Sequence, residues 1–250
     1  MNLKQKLKKP AIVLVWLFLW QIASVWLGHE LLLVSPLRTA ETLLGLMQHA
    51  DYWMSIGMSL YRIMLGFALA FVFGTILAFL AWKFHVVHNF WAPMISVMKA
   101  TPVASFIILA LVWLSSKSLA MFISALMVFP PVYLNVLEGI RQTDKKLLEM
   151  AKVFRVPLWR QVRGIYLPQV LPYFRTAVSL ALGLCWKAGI AAEVIGLPTG
   201  SLGEHLYNAK VYYMTPDLFA WTAVIVMVSA VFERAFLRVI DALVGKAGAK

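Results

Sequence analysis

The sequence has few of the side chains on which soluble enzymes depend. Only 14% of its 250 residues are charged and 62% are hydrophobic, whereas soluble domains are about 25% charged and about 45–50% apolar. Cys185 is its single cysteine, so a disulfide within the chain and every zinc motif built on several cysteines are excluded. The simplest interpretation of Cys185 is a small buried residue. These shortages argue against a soluble or disulfide-stabilised fold.

Motifs for catalysis are also missing. The sequence contains no G-x-x-x-x-G-K-[ST] stretch, so it does not bind ATP by that route. His85 and His88 are three residues apart but have no acidic or cysteine partner nearby, so we predict no metal site. Paired catalytic carboxylates and nucleophile motifs are not found. We therefore predict that the chain is not an enzyme.

Long uncharged runs are the dominant feature of the sequence. Ala11–Gly28, Ile63–Trp82 and Leu119–Leu137 each have about the length that a membrane-spanning helix needs. Only helices or closed barrels can cross lipid without leaving backbone polar groups unpaired. Barrel strands would alternate in polarity over about ten residues, and these runs do not. The sequence therefore predicts an all-α membrane protein.

We predict six transmembrane helices in one transmembrane domain, residues 11–240, between an N-terminal tail 1–10 and a C-terminal tail 241–250. The basic start and first apolar run resemble a signal peptide, but the run is too long and no cleavage site follows. The connection 30–55 predicts a short amphipathic helix with Leu43, Leu44 and Met47 on one face. The predicted spans are 11–29, 56–82, 90–115, 118–138, 173–195 and 217–237.

The basic residues predict the orientation of the chain, because Lys and Arg are retained in short cytoplasmic loops. With the N-terminus inside, the six spans place 17 of the 23 basic residues on the cytoplasmic side and four outside, with Arg62 near the outer boundary. Both termini are then cytoplasmic. The net charge of +12 follows from this topology and from attraction to anionic lipid. It therefore requires no nucleic acid as a partner.

Small residues recur every four positions in two of the spans. They predict faces on which another helix can approach closely, since packing within lipid depends on van der Waals contact. Packing within the chain and packing at a subunit interface or a moving seam are both open at this point. The two stripes are Gly66, Ala70, Gly74 and Ala78 in the second span and Ala177, Ala181, Cys185 and Gly189 in the fifth.

A basic, proline-containing loop separates the fourth and fifth spans and is predicted to be cytoplasmic. A helix is expected from about Asp144 to Phe154, and Pro157 disfavours helical geometry in the residue before it. A second helical segment is expected over Leu158–Tyr166, after which Pro168 and Pro172 mark the return into the membrane. This helix-turn-helix is far longer than a connection between two spans requires.

The loop resembles the signature of binding-protein-dependent ATP-binding-cassette (ABC) import permeases. That signature reads E-A-A, three residues, G, nine residues, I-x-L-P. Five of its seven defined positions match here at the same spacing, and Met150 and Arg155 occupy the other two. SPLRTAETLLGLM, SLYRIMLGFALAFVFGTILAF, MKATPVASFIILALVWL and LALGLCWKAGIAAEVIG also resemble family segments, most closely those of the nitrate/sulfonate/taurine type. The five matching residues are Glu149, Ala151, Ile165, Leu167 and Pro168.

The resemblance implies a type I ABC importer permease fold in the bacterial inner membrane. The loop 144–168 would be the coupling helix that docks on a cytoplasmic ATPase, which would bind ATP and magnesium in place of this chain. A second permease copy and an extracytoplasmic solute-binding protein would complete the transporter. Movement driven by ATP would pass through the loop into the spans as alternating access.

Two departures from the family signature concern the shape of the loop. Met150 replaces a small alanine, which requires a roomier groove on the ATPase. Arg155 replaces a glycine that ends the helix in left-handed geometry, which an arginine adopts only at a cost. We expect Pro157 to supply the break instead, two residues later.

Charged residues within the spans are candidates for the translocation pathway, because such groups usually face a cavity or a partner. Lys99 precedes Thr101-Pro102, where the helix is expected to kink, and Lys187 and Glu193 lie in the fifth span. Lys99, Pro102, Lys187 and Glu193 are therefore assigned to the pathway, with the lysines favouring an anionic or zwitterionic solute. The competing interpretations are snorkelling lysines and a structural Lys187–Glu193 pair.

Two other functions compete with the importer permease. A stand-alone secondary transporter or channel would be favoured by internal inverted repeats, and none is found. An intramembrane enzyme would require clustered polar groups, and Lys99, Lys187 and Glu193 are too sparse. The sequence does not name the solute.

Overall fold

The computed structural model describes the backbone of residues 3–248 and the side chains of residues 11–242. All regular elements in this part of the chain are helical. The lysines of the two tails, which are predicted to be cytoplasmic, lie outside the described side chains. They are Lys4, Lys6, Lys8, Lys9, Lys246 and Lys250. The elements are α1 (Leu3–Leu27), α2 (Pro36–Leu46), α3 (Ala50–Lys83), α4 (His85–Ala100), α5 (Val103–Ala110), α6 (Ser116–Arg141), α7 (Lys145–Val153), α8 (Leu158–Gln161), a π-helical turn (Val162–Tyr166), α9 (Leu167–Gly196), α10 (Leu202–Val211) and α11 (Thr215–Gly248).

Among the residues that the structure describes, three helices are long and apolar enough to cross a membrane: α3, α6 and the continuous run Leu158–Gly196. The bent pair α4–α5 adds a fourth candidate if both helices form one span, and the apolar part of α1, Ala11–Leu27, is shorter. These lengths agree with a multi-pass membrane protein. The six-helix count stays a prediction.

The predicted third span, 90–115, corresponds to two helices, α4 and α5. Helices α4 and α5 meet at an angle of 104° across Thr101 and Pro102. Proline lacks an N–H donor and disfavours helical geometry in the residue before it, and Thr101 is accordingly extended, with φ −81° and ψ 129°. The expected kink at this position is therefore confirmed, but it is a break between two helices.

Pro168 and Pro172, which are predicted to mark the return into the membrane, do not interrupt the helix that contains them. Leu158–Gly196 is one helix of 39 residues, and it includes both prolines. The π-helical turn precedes Pro168, and the Leu167 N–H donates to the Val162 carbonyl five residues back. A turn of this kind widens the helix locally, which lets the chain continue through a proline ring that would otherwise crowd the preceding turn.

Helix α6 lies at the centre of the fold and packs along both α3 and α9. Both predicted stripes of small residues are buried within the chain. On Gly66, an added Cβ would lie 2.2 Å from the Met121 carbonyl oxygen in α6, and on Gly189 it would lie 2.6 Å from side chains of Ile63 and Ser124. The stripes therefore serve packing within the chain, the first of the two alternatives.

The amphipathic helix expected between the first two spans is present as α2, which packs against α11. Its predicted apolar face is only partly correct. Leu43 packs on the core together with Leu46, whereas Leu44 and Met47 are exposed. Leu43 and Leu46 are three residues apart and share a face with buried Thr39, whereas Leu44 points about 100° away from that face.

We expect Gly66→Ala to destabilise the fold, because the added methyl group meets the backbone of α6 and cannot displace a flexible side chain. Overpacking of this kind costs about 1–3 kcal/mol. Gly57→Ala is the matched control, since the same helix has open space there. Thermal unfolding of the purified protein in detergent should show a lower midpoint for Gly66→Ala only, and equal midpoints would contradict the close approach.

Candidate functional site

The first half of the proposed coupling loop is a short, capped helix. The Asp144 carboxylate accepts the Lys146 N–H at 2.8 Å, which caps α7 at its predicted beginning. The Asp144 N–H donates to the Gln169 side chain at 2.8 Å and so ties this end to α9. Glu149 and Met150 are exposed, whereas Ala151 is buried. The exposed face is therefore available to a partner.

Helix α7 ends at Val153 and the chain turns at Arg155, so the expectation that Pro157 provides the break is wrong. Arg155 has φ +50°, the left-handed geometry that the family signature assigns to glycine. Its N–H donates to the Lys152 carbonyl, and the Val156 N–H donates to the Ala151 carbonyl at 2.8 Å. These two bonds form a Schellman motif, which satisfies carbonyls left free at the helix end. The bonds hold Arg155 in an unfavourable conformation, while Pro157 begins α8.

Large apolar side chains cover the tip of the loop. Val153, Phe154, Leu158 and Trp159 are 72–79% exposed. They lie beside Arg155 and Arg160, which are also exposed. Contiguous apolar side chains rimmed by charge are typical of protein interaction surfaces.

The last three residues of the signature belong to the helix that returns into the bundle. Ile165 lies in the π-helical turn, and Leu167 and Pro168 begin α9. Ile165 is half-buried, whereas Leu167 and Pro168 are exposed. The signature therefore describes two connected parts, an exposed helix with its end motif and the first turn of α9.

A buried charge cluster lies at the other end of α9. Glu193 is fully buried, and one carboxylate oxygen accepts the Ser59 hydroxyl at 2.7 Å and the Gly203 N–H at 3.3 Å. Its other carboxylate oxygen lies 3.5 Å from the Arg62 guanidinium, which is also buried. The cluster joins α3, α9 and α10.

This cluster corrects two predictions. Glu193 pairs with Arg62 and not with Lys187, which is exposed. Glu193 is also enclosed within the chain, so it does not line a pathway. Lys99 is exposed in the last turn of α4, and Pro102 is exposed at the break between α4 and α5. Lys99, Pro102 and Lys187 thus stay candidates for contact with a solute.

Ser59 and Arg62 were not predicted as partners of Glu193. A signal was available, because Ser55, Ser59 and Arg62 are spaced by four and three residues and share one face of an otherwise apolar helix. All three are buried, and the Ser55 hydroxyl lies 2.9 Å from the His205 ring of α10. Helix α10 was not predicted at all, because its residues fall in a connection between two spans.

Comparison with known proteins identifies the family. Residues 70–246 match the family described as binding-protein-dependent transport system inner membrane component. The chain is 26% identical to the putative aliphatic sulfonates transport permease protein of Bacillus subtilis, over 93% of this chain and 83% of the relative. It is 26% identical to the taurine transport system permease protein of Escherichia coli, over 89% and 82%. It is 30% identical to the putative aliphatic sulfonates transport permease protein of Escherichia coli, over 78% and 75%.

The apolar helices and the exposed loop define a multi-pass membrane protein of the transport class. The match covers most of the chain, so the protein belongs to the family of binding-protein-dependent transport system inner membrane components. It is a permease subunit of an ABC importer, which excludes the stand-alone transporter or channel. The importer permease identified from the loop signature is thus confirmed.

We expect Arg155→Gly to stabilise the protein relative to Arg155→Ala. Both changes remove the guanidinium group, but only glycine relieves a left-handed conformation that costs other residues about 1–2 kcal/mol. Thermal unfolding of both variants in detergent should therefore give a higher midpoint for glycine. Equal midpoints would show that the left-handed geometry imposes no cost at this position.

Proposed function

We propose that residues 144–168 dock on a cytoplasmic ATPase and couple its ATP cycle to transport through this permease. The observation that supports this most strongly is the exposed α7 with the apolar tip that follows it, on a chain of the importer permease family. An apolar centre with charged side chains at its edge suits a protein groove with a polar rim. ATP and magnesium are bound by the ATPase, and this chain contributes no catalytic residue.

The rest of the assembly follows from the same role. Two permease copies pair around a central pathway in the bacterial inner membrane, with both termini and the docking loop in the cytoplasm. An extracytoplasmic solute-binding protein delivers the solute to the opposite face. The distribution of basic residues supports this orientation. The single permease domain covers residues 11–240.

The solute is proposed to be a small anion or zwitterion. The relatives' names refer to aliphatic sulfonates, taurine and, for a Synechococcus elongatus relative with 26% identity, bicarbonate. Sulfonates and bicarbonate are anions at neutral pH, and taurine is a zwitterion. Lys99 and Lys187 are exposed on spans and supply the positive potential that attracts such solutes. The choice among these solutes rests largely with the binding protein.

We expect Glu149→Arg to weaken recovery of the ATPase with the permease, because it reverses a charge on the exposed face of α7. A mismatched charge in an interface costs several kcal/mol, and about 1.4 kcal/mol is already a tenfold change in affinity, so recovery should fall by about tenfold or more. The measurement is the molar ratio of ATPase to tagged permease after mild extraction from the native membrane.

Glu138→Arg is the control for this experiment. Glu138 is exposed at the end of α6, near the same side of the bundle but outside the loop, and it bonds only Gln142 among the described side chains. The amount of ATPase recovered with this variant should match the amount recovered with the unchanged permease. Equal recovery for all three proteins would contradict docking through α7, and a permease that never carries an ATPase would contradict the coupling role.

We expect Lys99→Met and Lys187→Met to reduce uptake of an anionic solute, because each removes positive charge from the proposed pathway. Electrostatic attraction changes capture rates by about tenfold or more. Uptake of labelled taurine, an alkanesulfonate and bicarbonate into cells tests this, with Lys117→Met as a control at an exposed lysine of α6. Full uptake and unchanged preference in both variants would rule out a role for these lysines.

A further inference from the structure

Glu193 is a buried acidic residue for which the proposed transport role gives no reason. It is fully buried near the end of α9, the helix that begins with the last residues of the docking loop. From Leu167 to Glu193, a helix extends roughly 40 Å. The buried carboxylate therefore lies at the far end of the bundle from the loop, on the side assigned to the binding protein.

The carboxylate holds the beginning of α10 in place. The Gly203 N–H donates to Glu193 at 3.3 Å, and the Leu202 N–H donates to the Ser59 hydroxyl oxygen at 3.0 Å. The same Ser59 hydroxyl donates to Glu193 at 2.7 Å. The first N–H groups of a helix have no partner within it, and a negative charge there is favourable. The first turn of α10 is thus bound to α3 and α9 together.

Backbone contact makes this connection stiff. A Cβ on Gly203 would lie 2.4 Å from the Glu193 Cβ and 2.5 Å from the Val194 nitrogen. No flexible side chain separates α10 from α9 at this point. A shift of α10 must therefore move the end of α9 or break the bonds at Glu193.

The charge on Glu193 is not required for simple packing. A buried ion pair costs desolvation free energy, and apolar residues of similar volume can often replace it without loss of stability. Its Arg62 partner is 3.5 Å away, longer than a good hydrogen bond. The buried cluster around Glu193 has few alternative arrangements, because a displaced Glu193 or Arg62 would be left buried without a partner.

The opposite end of α9 is connected to the loop and to α11. Leu158–Gly196 is continuous through the π-helical turn, so the tip of the loop and Glu193 belong to one helix. Arg175 forms a two-pronged ion pair with Asp241 of α11, with one N–O distance of 3.1 Å. A displacement at one end of this helix is therefore transmitted to its other end. The ion pair with α11 holds the part of the helix near the loop.

We propose that Glu193 is a positioning residue that links α10 to the docking loop through α9. Through this link, docking of the binding protein at the outer face would raise the activity of the ATPase. This rests on the proposed function. Helix α10 and the turn after it expose Tyr207, Tyr212 and Tyr213 on that face, and tyrosine is enriched among the residues that dominate protein interfaces. Ser59 and Gly203 are the contacts through which the position of α10 acts on Glu193.

The alternative is that Glu193 only stabilises the fold, and two buried serines can distinguish the two roles. Ser59 and Ser124 are both fully buried, and each bonds across to another helix. Ser59 connects α3 with Glu193 and α10, whereas the Ser124 hydroxyl donates to the Cys185 carbonyl and connects α6 with α9. Ser59→Ala and Ser124→Ala remove similar groups, but only Ser59→Ala loosens α10.

The experiment uses the complete transporter in lipid nanodiscs, with ATPase activity measured with and without the solute-loaded binding protein. Hydrogen–deuterium exchange of residues 202–211 is measured in parallel.

We expect Ser59→Ala and Glu193→Gln to lower the stimulation ratio by about fivefold or more, the size of a typical coupling between sites. Basal ATPase activity in Ser59→Ala should stay within about twofold of the unchanged protein, and exchange in α10 should accelerate. Ser124→Ala should keep both the stimulation and the slow exchange of α10.

Three results would overturn the proposal. Faster exchange in α10 with full stimulation would show that Glu193 only stabilises the fold. Unchanged exchange in both variants would show that the cluster does not hold α10. Equal loss of stimulation in Ser124→Ala would show that any weakened helix contact suffices.

Failure of the unchanged transporter to respond to the binding protein is a different outcome, because it would overturn the proposed function itself. Poor folding of Glu193→Gln leaves Ser59→Ala as the deciding variant.

Discussion

The close approach of α6 to α3 and α9 is the constraint on which the other features of this permease depend. Lipid provides no hydrophobic drive for helices to associate, so contact area between backbones must hold them together. Gly66 and Gly189 permit that contact, because a side chain on either would meet a neighbouring helix. The three helices then form a framework against which short elements can be placed accurately. The loop at one end and α10 at the other are both attached to α9.

This framework explains how one short signature can serve both docking and transmission. Its first half lies in the exposed helix α7 and in the turn at Arg155 that follows it, and its second half forms the first turn of α9. The π-helical turn keeps the helix continuous through Pro168, so no hinge separates the loop from the membrane part. The strain at Arg155 is confined to one residue, and the backbone bonds of the Schellman motif support it.

The sequence was sufficient for features with a local cause. Apolar runs predicted the long helices, the four-residue spacing predicted the packing faces, and Asp144 marked the beginning of α7. Features that depend on the detailed backbone geometry or on tertiary contacts were predicted less well. The break after α7 was expected at Pro157, but the chain turns at Arg155, where the bonds of a Schellman motif support the left-handed geometry. A Lys187–Glu193 pair was one open alternative because both residues lie in one span, whereas the observed partner, Arg62, is distant in sequence.

The most direct test of the account is site-specific photo-crosslinking in the native membrane. A photoreactive residue is placed at Phe154, at the tip of the loop, or at Tyr213, after α10, since both are highly exposed. If the loop docks on the ATPase, Phe154 crosslinks to an ATPase subunit and Tyr213 does not. An ATPase crosslink from Tyr213, or none from Phe154 in membranes that contain an active transporter, would contradict both the orientation and the docking role.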